Sequence, residues 1–272
     1  GKNISQEIRE FVIIHKINID QKLLMIADSC SNKKIDYSKS ESWWQVQLPE
    51  LNKLKKQILN SQIKDEDYKP VIRSLDYLIN YTQYASKVKT KYPESTKFRD
   101  LKMFENVKWI VENESKNGKA FIWAHNDHIN KREMYYTGSN IINLGRHLKD
   151  YYKEDYYSVG FDFGIGKING FVIDNKKGNH WKTYHIEKPF KKTYAKTLML
   201  INKDVYFVDL QQAIESDSSK FFSKKNKHLL IGGGGYQPKP LHKIMISKIY
   251  TETYDGLIFV KEISIPDYKL EK

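Results

Sequence analysis

Two histidines separated by two residues are the part of the sequence best suited to chemistry. His125-Asn-Asp-His128 follows directly after the apolar run Ala120 to Ala124. A run of this length predicts a buried strand, and in an α/β sheet ligands bind beyond the carboxyl ends of the strands. One imidazole could act as a general base near neutral pH while the other donates to a developing oxyanion, with Asn126 and Asp127 orienting the rings. In the alternative interpretation, one histidine caps the strand end and the other faces solvent.

Other chemistries have weaker support. A metal site needs a third ligand beside the two histidines, for which Asp162 and Glu133 are the candidates. The sequence contains no Gly-x-Ser-x-Gly nucleophile elbow. The run Gly232 to Gly235 could cradle an anion with its backbone N–H groups, or could form a turn that brings two backbone segments together. Arg99 and Asp100, at an expected helix start, could reach into a cleft or could form an exposed salt bridge.

The first third of the chain has the apolar spacing of helices. The period of three and four predicts one helix from Ile4 to about Met25 and another through Leu48 and Ile58. Asp65 is the expected N-cap of a long third helix that ends before Pro93. A fourth helix, through residues 101–111, is expected to run towards Gly118, a residue type common just after a helix end.

After Gly118 the pattern changes to strands alternating with helices. The strand at 120–124, a helix capped by Ser139 and a strand at 157–163 form a β-α-β pattern. Four glycines between 160 and 170 predict a tight strand-turn-strand. Further strands are expected at residues 170–173, 205–208, 228–231 and 256–263. The sequence therefore predicts an α/β fold, with a mostly parallel sheet covered by helices in residues 98–272 and a helical region in residues 1–97.

Composition narrows the class of protein. The 272 residues include 46 Lys plus Arg against 33 Asp plus Glu, a net charge of +13, and 40% of them are hydrophobic. That hydrophobic content disfavours intrinsic disorder, and no apolar run approaches the roughly 18 residues of a membrane span. The lone Cys30 excludes an internal disulfide and a Cys-rich zinc site. Only five of the cations are arginines, which argues against nucleic acid as the partner despite the positive charge.

Several motifs together resemble the erythromycin esterase family. They are Phe98-Arg-Asp100, Trp123-Ala-His-Asn-x-His128, Gly160-Phe161 with Phe163-Gly164, Gly235-Tyr236-x-Pro238 and Asp255-Gly-Leu-Ile-Phe259. The resemblance covers about residues 98 to 264. It implies an α/β sheet with an added helical region and hydrolysis of an ester without metal or other cofactor, the substrate in the best-known members being a macrolide lactone. On this resemblance His125 and His128 match active-site histidines, and Arg99, Asp100 and Asn126 are expected to support them.

The N-terminal motifs of that family have no counterpart in this sequence. A Gly-Glu-x-x-His-Gly block carries the histidine usually assigned as general base, whereas residues 1–97 contain only His15, in a helical context. We therefore expect the chain to correspond to the C-terminal part of a longer protein. A missing general base costs about 10²–10⁴-fold in rate, so we expect the chain alone to be inactive or weakly active.

Two functions follow as hypotheses. The first is hydrolysis of a small-molecule ester or lactone by water, with assistance from His125 and His128. The second is a noncatalytic module that binds an anionic ligand through its lysine-rich surface. Binding of the second kind should weaken steeply with salt and should not depend on the histidines.

Overall fold

A computed structural model describes residues 3–35, 42–87, 93–134, 141–174, 176–216, 219–231, 235–238 and 244–265. The chain forms two compact units, Gly1–Lys102 and Met103–Lys272. The boundary expected from sequence, after residue 97, remains a proposal. Within the described residues, no helix is both long and apolar enough to cross a membrane.

In the part of the chain that the structure describes, five helices lie in the first unit, and the last of them extends into the second. They are α1 (Ile4–Ile14), α2 (Gln21–Asn32), α3 (Ser42–Asn60), α4 (Tyr68–Ala85) and α5 (Glu94–Asn113). The expectation of a single helix from Ile4 to Met25 is wrong because the chain turns after Ile14. Asp20 then starts α2, its carboxylate accepting from the Lys22 amide at 2.9 Å.

The core of the first unit is apolar. Side chains such as Trp44, Leu54 and Leu75 are completely buried in one hydrophobic cluster drawn from α1 to α4. Asp65 does not cap α4, which begins at Tyr68. Its carboxylate instead lies 2.7 Å from the Nε2 atom of His15.

Among its described residues, the second unit contains short helices and three sheets. The helices are α6 (Asn126–Ile129), α7 (Leu144–Tyr152), α8 (Tyr194–Leu198), α9 (Leu210–Glu215), α10 (Ser219–Phe222) and α11 (Tyr250–Thr253), with a 3₁₀ turn at Lys153–Asp155. The strands are β1 (Glu133–Met134), β2 (Ile141–Ile142), β3 (Val159–Val172), β4 (His180–Ile186), β5 (Val205–Asp209), β6 (Asn226–Leu229), β7 (Met245–Lys248) and β8 (Gly256–Ile263).

The main sheet has the strand order β4-β3-β8-β5 and is mixed. Only β3 and β8 are parallel, whereas β3 pairs with β4 and β5 pairs with β8 in antiparallel register. The α/β prediction is confirmed and the mostly parallel sheet is wrong. Strands β3 and β4 are joined by a short loop, and a connection of that length permits only antiparallel pairing.

The glycines of β3 lie within one continuous strand, so the expected strand-turn-strand is wrong. They instead allow close approach by neighbouring groups. A Cβ atom on Gly164 would lie 2.0 Å from Sδ of Met199, and one on Gly170 would lie 1.8 Å from the Tyr236 carbonyl oxygen. Residues 232–234 and Ser139 lie outside the described residues. Gly235 has φ +67° and a Cβ there would lie 2.2 Å from the Asn169 carbonyl oxygen, which fits the close-approach interpretation.

The apolar run before the histidines does not form the buried strand expected for it. Residues 120–125 have no strand assignment, and the side chains of Phe121 and Trp123 are 87% and 76% exposed. Apolar character predicts a strand only where a ladder partner is available, and no described strand pairs with this segment. Helix α7, for which Ser139 was the expected cap, begins at Leu144 and is capped by Asn143, whose carboxamide oxygen accepts from the Arg146 amide at 2.8 Å.

Candidate active site

The two histidines lie on one tight turn, residues 125–130, which we call the histidine turn. His125 is the N-cap of α6, and its carbonyl accepts from the His128 amide at 2.9 Å. The two imidazole centroids are 6.4 Å apart and the ring planes differ by 22°. The His125 side chain is exposed and that of His128 is half-buried.

Asn126 fixes the start of the turn to the main sheet. Its Nδ2 donates to the Phe161 carbonyl at 2.6 Å, and its Oδ1 accepts from the Phe161 amide at 2.9 Å. Phe161 pairs with Ile258 of β8, whereas β4 pairs only with residues 166–172 of β3, so the two bonds from Asn126 are made where β4 does not extend along β3. The side chain therefore aligns the turn with the amino-terminal end of β3, which explains its place between the histidines.

Buried amides and hydroxyls hold the rest of the turn. The Asp127 carbonyl accepts from Nδ2 of Asn130 at 2.8 Å and from Nδ2 of Asn143 at 2.5 Å. The Ile129 carbonyl accepts from the Tyr156 hydroxyl at 2.5 Å and from the Ser158 hydroxyl at 2.7 Å. Both asparagine side chains are completely buried. Removing either partner would leave a buried polar group without its hydrogen bond, so the backbone here is tightly constrained.

A carboxylate ties the end of the turn to the strand edge. Asp255, which is 5% exposed, accepts from Nζ of Lys131 at 2.6 Å and from the Ser158 amide at 2.9 Å. The Lys131 amide also donates to the Thr253 carbonyl at 2.9 Å. The segment after the turn is thereby joined to the loop that precedes β8.

A group of buried polar side chains lies in the same unit, and we call it the buried polar cluster. Its members are Asp162, His228, Lys248, Tyr250 and Tyr254, each no more than 5% exposed. The Tyr250 hydroxyl donates to Oδ2 of Asp162 at 2.7 Å and lies 2.5 Å from Nδ1 of His228. Because the hydroxyl proton is used on Asp162, its oxygen must accept from an Nδ1–H of His228.

Burial governs the protonation of this cluster. It lowers the pKa of the His228 imidazole, against the opposing effect of Asp162. It raises the pKa of the Tyr250 phenol well above its ordinary value, and Asp162 acts in the same direction. It lowers the pKa of Lys248 from 10.5 to about 8, with the charges of Asp127 and Asp162 opposing the shift. The cluster thus holds a neutral histidine and a mostly charged lysine at neutral pH.

Arg99 and Asp100 belong to the first unit, and the histidines and Asn126 to the second. The Arg99 Nη1 atom lies 3.8 Å from Oδ1 of Asp100, whose side chain is completely buried. Since α5 begins at Glu94, Asp100 lies in the second helical turn. The helix dipole acts within the first turn, so the expected placement at a helix start is wrong.

Within the described part of the chain, no group of three or more His, Cys, Asp or Glu side chains is placed to hold a metal ion. The two sequence candidates for a third ligand lie elsewhere in the fold. Asp162 accepts from Tyr250 in the buried polar cluster, and Glu133 lies on β1, paired with Ile142.

Sequence reasoning did not identify the buried polar cluster. One signal was present, since Lys248 alternates with the apolar residues Ile244, Ile246 and Tyr250. A lysine at a strand position that alternation assigns to the core is unusual enough to note. His228 and Tyr250 gave no such signal, because histidine and tyrosine occur in cores and on surfaces alike.

Comparison with known proteins gives the wider relationships of this chain. The family model for erythromycin esterase matches residues 28–263. A protein described as erythromycin esterase type II from Escherichia coli is 25% identical over 124 residues, which cover 43% of this chain and 30% of that protein.

Two solved structures share the fold. One, of a protein from Bacillus cereus, has a TM-score of 0.75 at 18% identity and covers 96% of this chain. The other, a succinoglycan biosynthesis protein, has a TM-score of 0.72 at 16% identity with the same coverage. The chain covers 64% and 62% of these two proteins, and it spans less than two thirds of each relative named. Because the family model matches most of its length, the chain belongs to the erythromycin esterase family.

Proposed function

We propose that this chain carries part of a hydrolase site at which water attacks the carbonyl of an ester or lactone. The observation that carries the proposal is the histidine turn, where two nearly parallel imidazoles stand 6.4 Å apart on a backbone held by buried hydrogen bonds. Family membership suggests hydrolase activity and supports the choice of reaction.

The two histidines have separate parts in this scheme. His125, the exposed ring, exchanges protons with the reacting water or with the leaving alcohol. His128, half-buried, donates a hydrogen bond to the carbonyl oxygen as negative charge develops there. Asn126 keeps both rings in register with β3. Arg99 and Asp100 are assigned a supporting part on their motif alone, and the scheme uses no metal or organic cofactor.

The test is a hydrolysis screen followed by mass spectrometry. Protein expressed from the complete reading frame, and the 272-residue chain beside it, are incubated with macrolides and simple esters while the addition of one water is monitored. We expect hydrolysis of at least one substrate, with a loss of about 10²–10⁴-fold in His125→Ala and in His128→Ala.

An exposed histidine on β4 provides the matched control. His185→Ala removes the same type of side chain from an exposed position on β4 and should leave the rate unchanged. Unchanged hydrolysis in both histidine-turn variants would refute the assigned roles. If no substrate is hydrolysed by any version, the hydrolase proposal fails and a salt titration of anionic ligands tests the binding-module hypothesis.

A further inference from the structure

Burial of the Lys248 side chain in this core is unfavourable in free energy. Its side chain is 1% exposed on β7, beside completely buried tyrosines. A buried ammonium costs more free energy than an apolar side chain of similar size would, even when it is paired. Stability alone therefore gives no reason for a lysine at this position.

The first contact of Lys248 leads to the histidine turn through Tyr254. The lysine Nζ donates to the Tyr254 hydroxyl at 2.9 Å. That hydroxyl donates to the carbonyl oxygen of Asn126, at 3.4 Å. Asn126 is one of the two residues between the histidines. A cationic donor polarises the phenol and strengthens the hydrogen bond that the phenol donates.

The second connection is electrostatic and reaches the next residue of the turn. The negative charge of Asp127 favours the protonated form of Lys248, as does that of Asp162 on β3. A positive charge in the core thus lies among a carboxylate of the histidine turn and a carboxylate of the sheet. The attraction works in a buried setting, where charges are screened less than at the surface.

The ring of Tyr254 packs closely against the backbone of β3. A Cβ atom on Gly160 would lie 2.6 Å from Cδ2 of Tyr254, so the ring packs directly on the β3 backbone. Phe161, the next residue of β3, is the one to which Asn126 is bonded. Tyr254 therefore contacts the turn and its anchoring strand together.

We propose that Lys248 and Tyr254 are positioning residues for the histidine turn, holding the Asn126–Asp127 backbone in place from the core side. Neither touches the reacting atoms, and both act through the backbone that carries His125 and His128. The consequence for catalysis rests on the proposed function, whereas the consequence for the turn itself does not.

Hydrogen exchange on the 272-residue chain, without substrate, tests the effect on the turn. Tyr254→Phe removes only the hydroxyl, and Lys248→Met removes the charge while keeping an unbranched apolar side chain. We expect amide exchange in a peptide spanning residues 125–130 to accelerate by roughly two- to tenfold in each variant, the range that corresponds to one hydrogen bond. If the two residues act independently, the free-energy changes of the single variants should add in the double variant. If they act as one unit, the double variant should exchange more slowly than that sum predicts.

Tyr206→Phe is the matched control. It also removes a phenol hydroxyl that donates to a backbone carbonyl, that of Leu198 at 2.8 Å, from a half-buried tyrosine that packs against the same apolar core of the second unit as Tyr254. Equal acceleration of the turn peptide in Tyr206→Phe and Tyr254→Phe, or none in Tyr254→Phe, would overturn the proposal. If Lys248→Met does not fold, the comparison of the two tyrosine variants decides the question.

A kinetic arm uses the protein from the complete reading frame and an ester found in the hydrolysis screen. Misplaced catalytic groups should lower kcat by about tenfold or more while KM stays the same, whereas general destabilisation would leave kcat per folded molecule unchanged. An unchanged kcat alongside faster exchange would overturn the catalytic consequence. If no ester is hydrolysed, the proposed function fails, and the exchange result still decides whether Lys248 and Tyr254 hold the turn.

Discussion

The interiors of the two units differ in chemical kind. The core that α1 to α4 form in the first unit is filled by apolar side chains, with Trp44, Leu54 and Ile58 completely buried, and the buried Asp100 lies outside that core on α5. The second unit buries an aspartate, a histidine and a lysine close to the histidine turn. Apolar packing gives stability without direction, whereas hydrogen-bonded polar groups fix a backbone in one arrangement at a cost in stability. We infer from this difference that buried polar groups hold the histidine turn in one arrangement and lower the stability of the second unit.

The largest expected effect comes from breaking the apolar core. Leu54→Ala removes a completely buried side chain from α3 and should lower the free energy of unfolding by about 3 kcal/mol or more. Leu59→Ala, on the same helix but 43% exposed, should cost under about 1 kcal/mol. Urea unfolding measures both. Similar losses in the two variants would mean that the first unit does not depend on close packing.

The second prediction concerns the pH dependence that Lys248 confers. Its pKa is about 8 in the folded chain and 10.5 is the ordinary value, so between these limits the unfolded state binds the extra proton. Stability should therefore rise with pH across that window, by about 3 kcal/mol in total. The Tyr250 phenol, with its raised pKa, keeps its proton in the folded chain, whereas the unfolded chain begins to lose that proton near the ordinary value of 10, so this group opposes the rise at the top of the window.

Chemical denaturation between pH 7.5 and 10 measures this rise, against variants of two lysines. Lys248→Met should lose it, and Lys167→Met, which changes an exposed lysine on β3, should retain it. A rise that persists unchanged in Lys248→Met would show that another group is responsible, and the contrast between the two interiors would lose its main support.

A smaller effect is expected from Asn126, which joins the turn to the sheet. Asn126→Ala removes two hydrogen bonds to the Phe161 backbone and should cost about 1–3 kcal/mol. The control is Asn113→Ala, which removes an exposed asparagine bonded to the Trp109 carbonyl and should change stability by no more than about 0.5 kcal/mol. Thermal unfolding of both variants gives the comparison, and equal shifts would contradict a special role for Asn126.

The sequence predicted the elements that have a local pattern of apolar residues. It failed for strands whose formation or direction depends on pairing with another strand. Strand β8 and helices α3 and α4 follow from the pattern of apolar residues, whereas the break between α1 and α2 does not. Residues 120–124 look like a buried strand by composition, yet no described strand pairs with them. The direction of β4 and β5 depends on pairings across the sheet, which single-residue types do not encode.

The site divides in the same way. The short motif that contains His125 and His128 identified both histidines from the sequence, and the structure places both rings on one turn. The pairing of Lys248 with Tyr254, and of Tyr250 with His228, joins different strands and helices, so it depends on the tertiary fold.

The smallest predicted effect is the acid response of His228. Burial lowers the pKa of its imidazole below the ordinary 6.5, so as pH falls the unfolded state takes up a proton before the folded state does. The stabilisation is present above pH 6.5 and is lost below it, by up to about 1.4 kcal/mol per pH unit. Denaturation at pH 7 and pH 5.5 should show a steeper loss in the unmodified chain than in His228→Gln, whereas His185→Gln, at an exposed position on β4, should behave like the unmodified chain. If His185→Gln flattened the acid response instead, the protonation of exposed residues would dominate and the buried polar cluster would not set the acid limit of this fold.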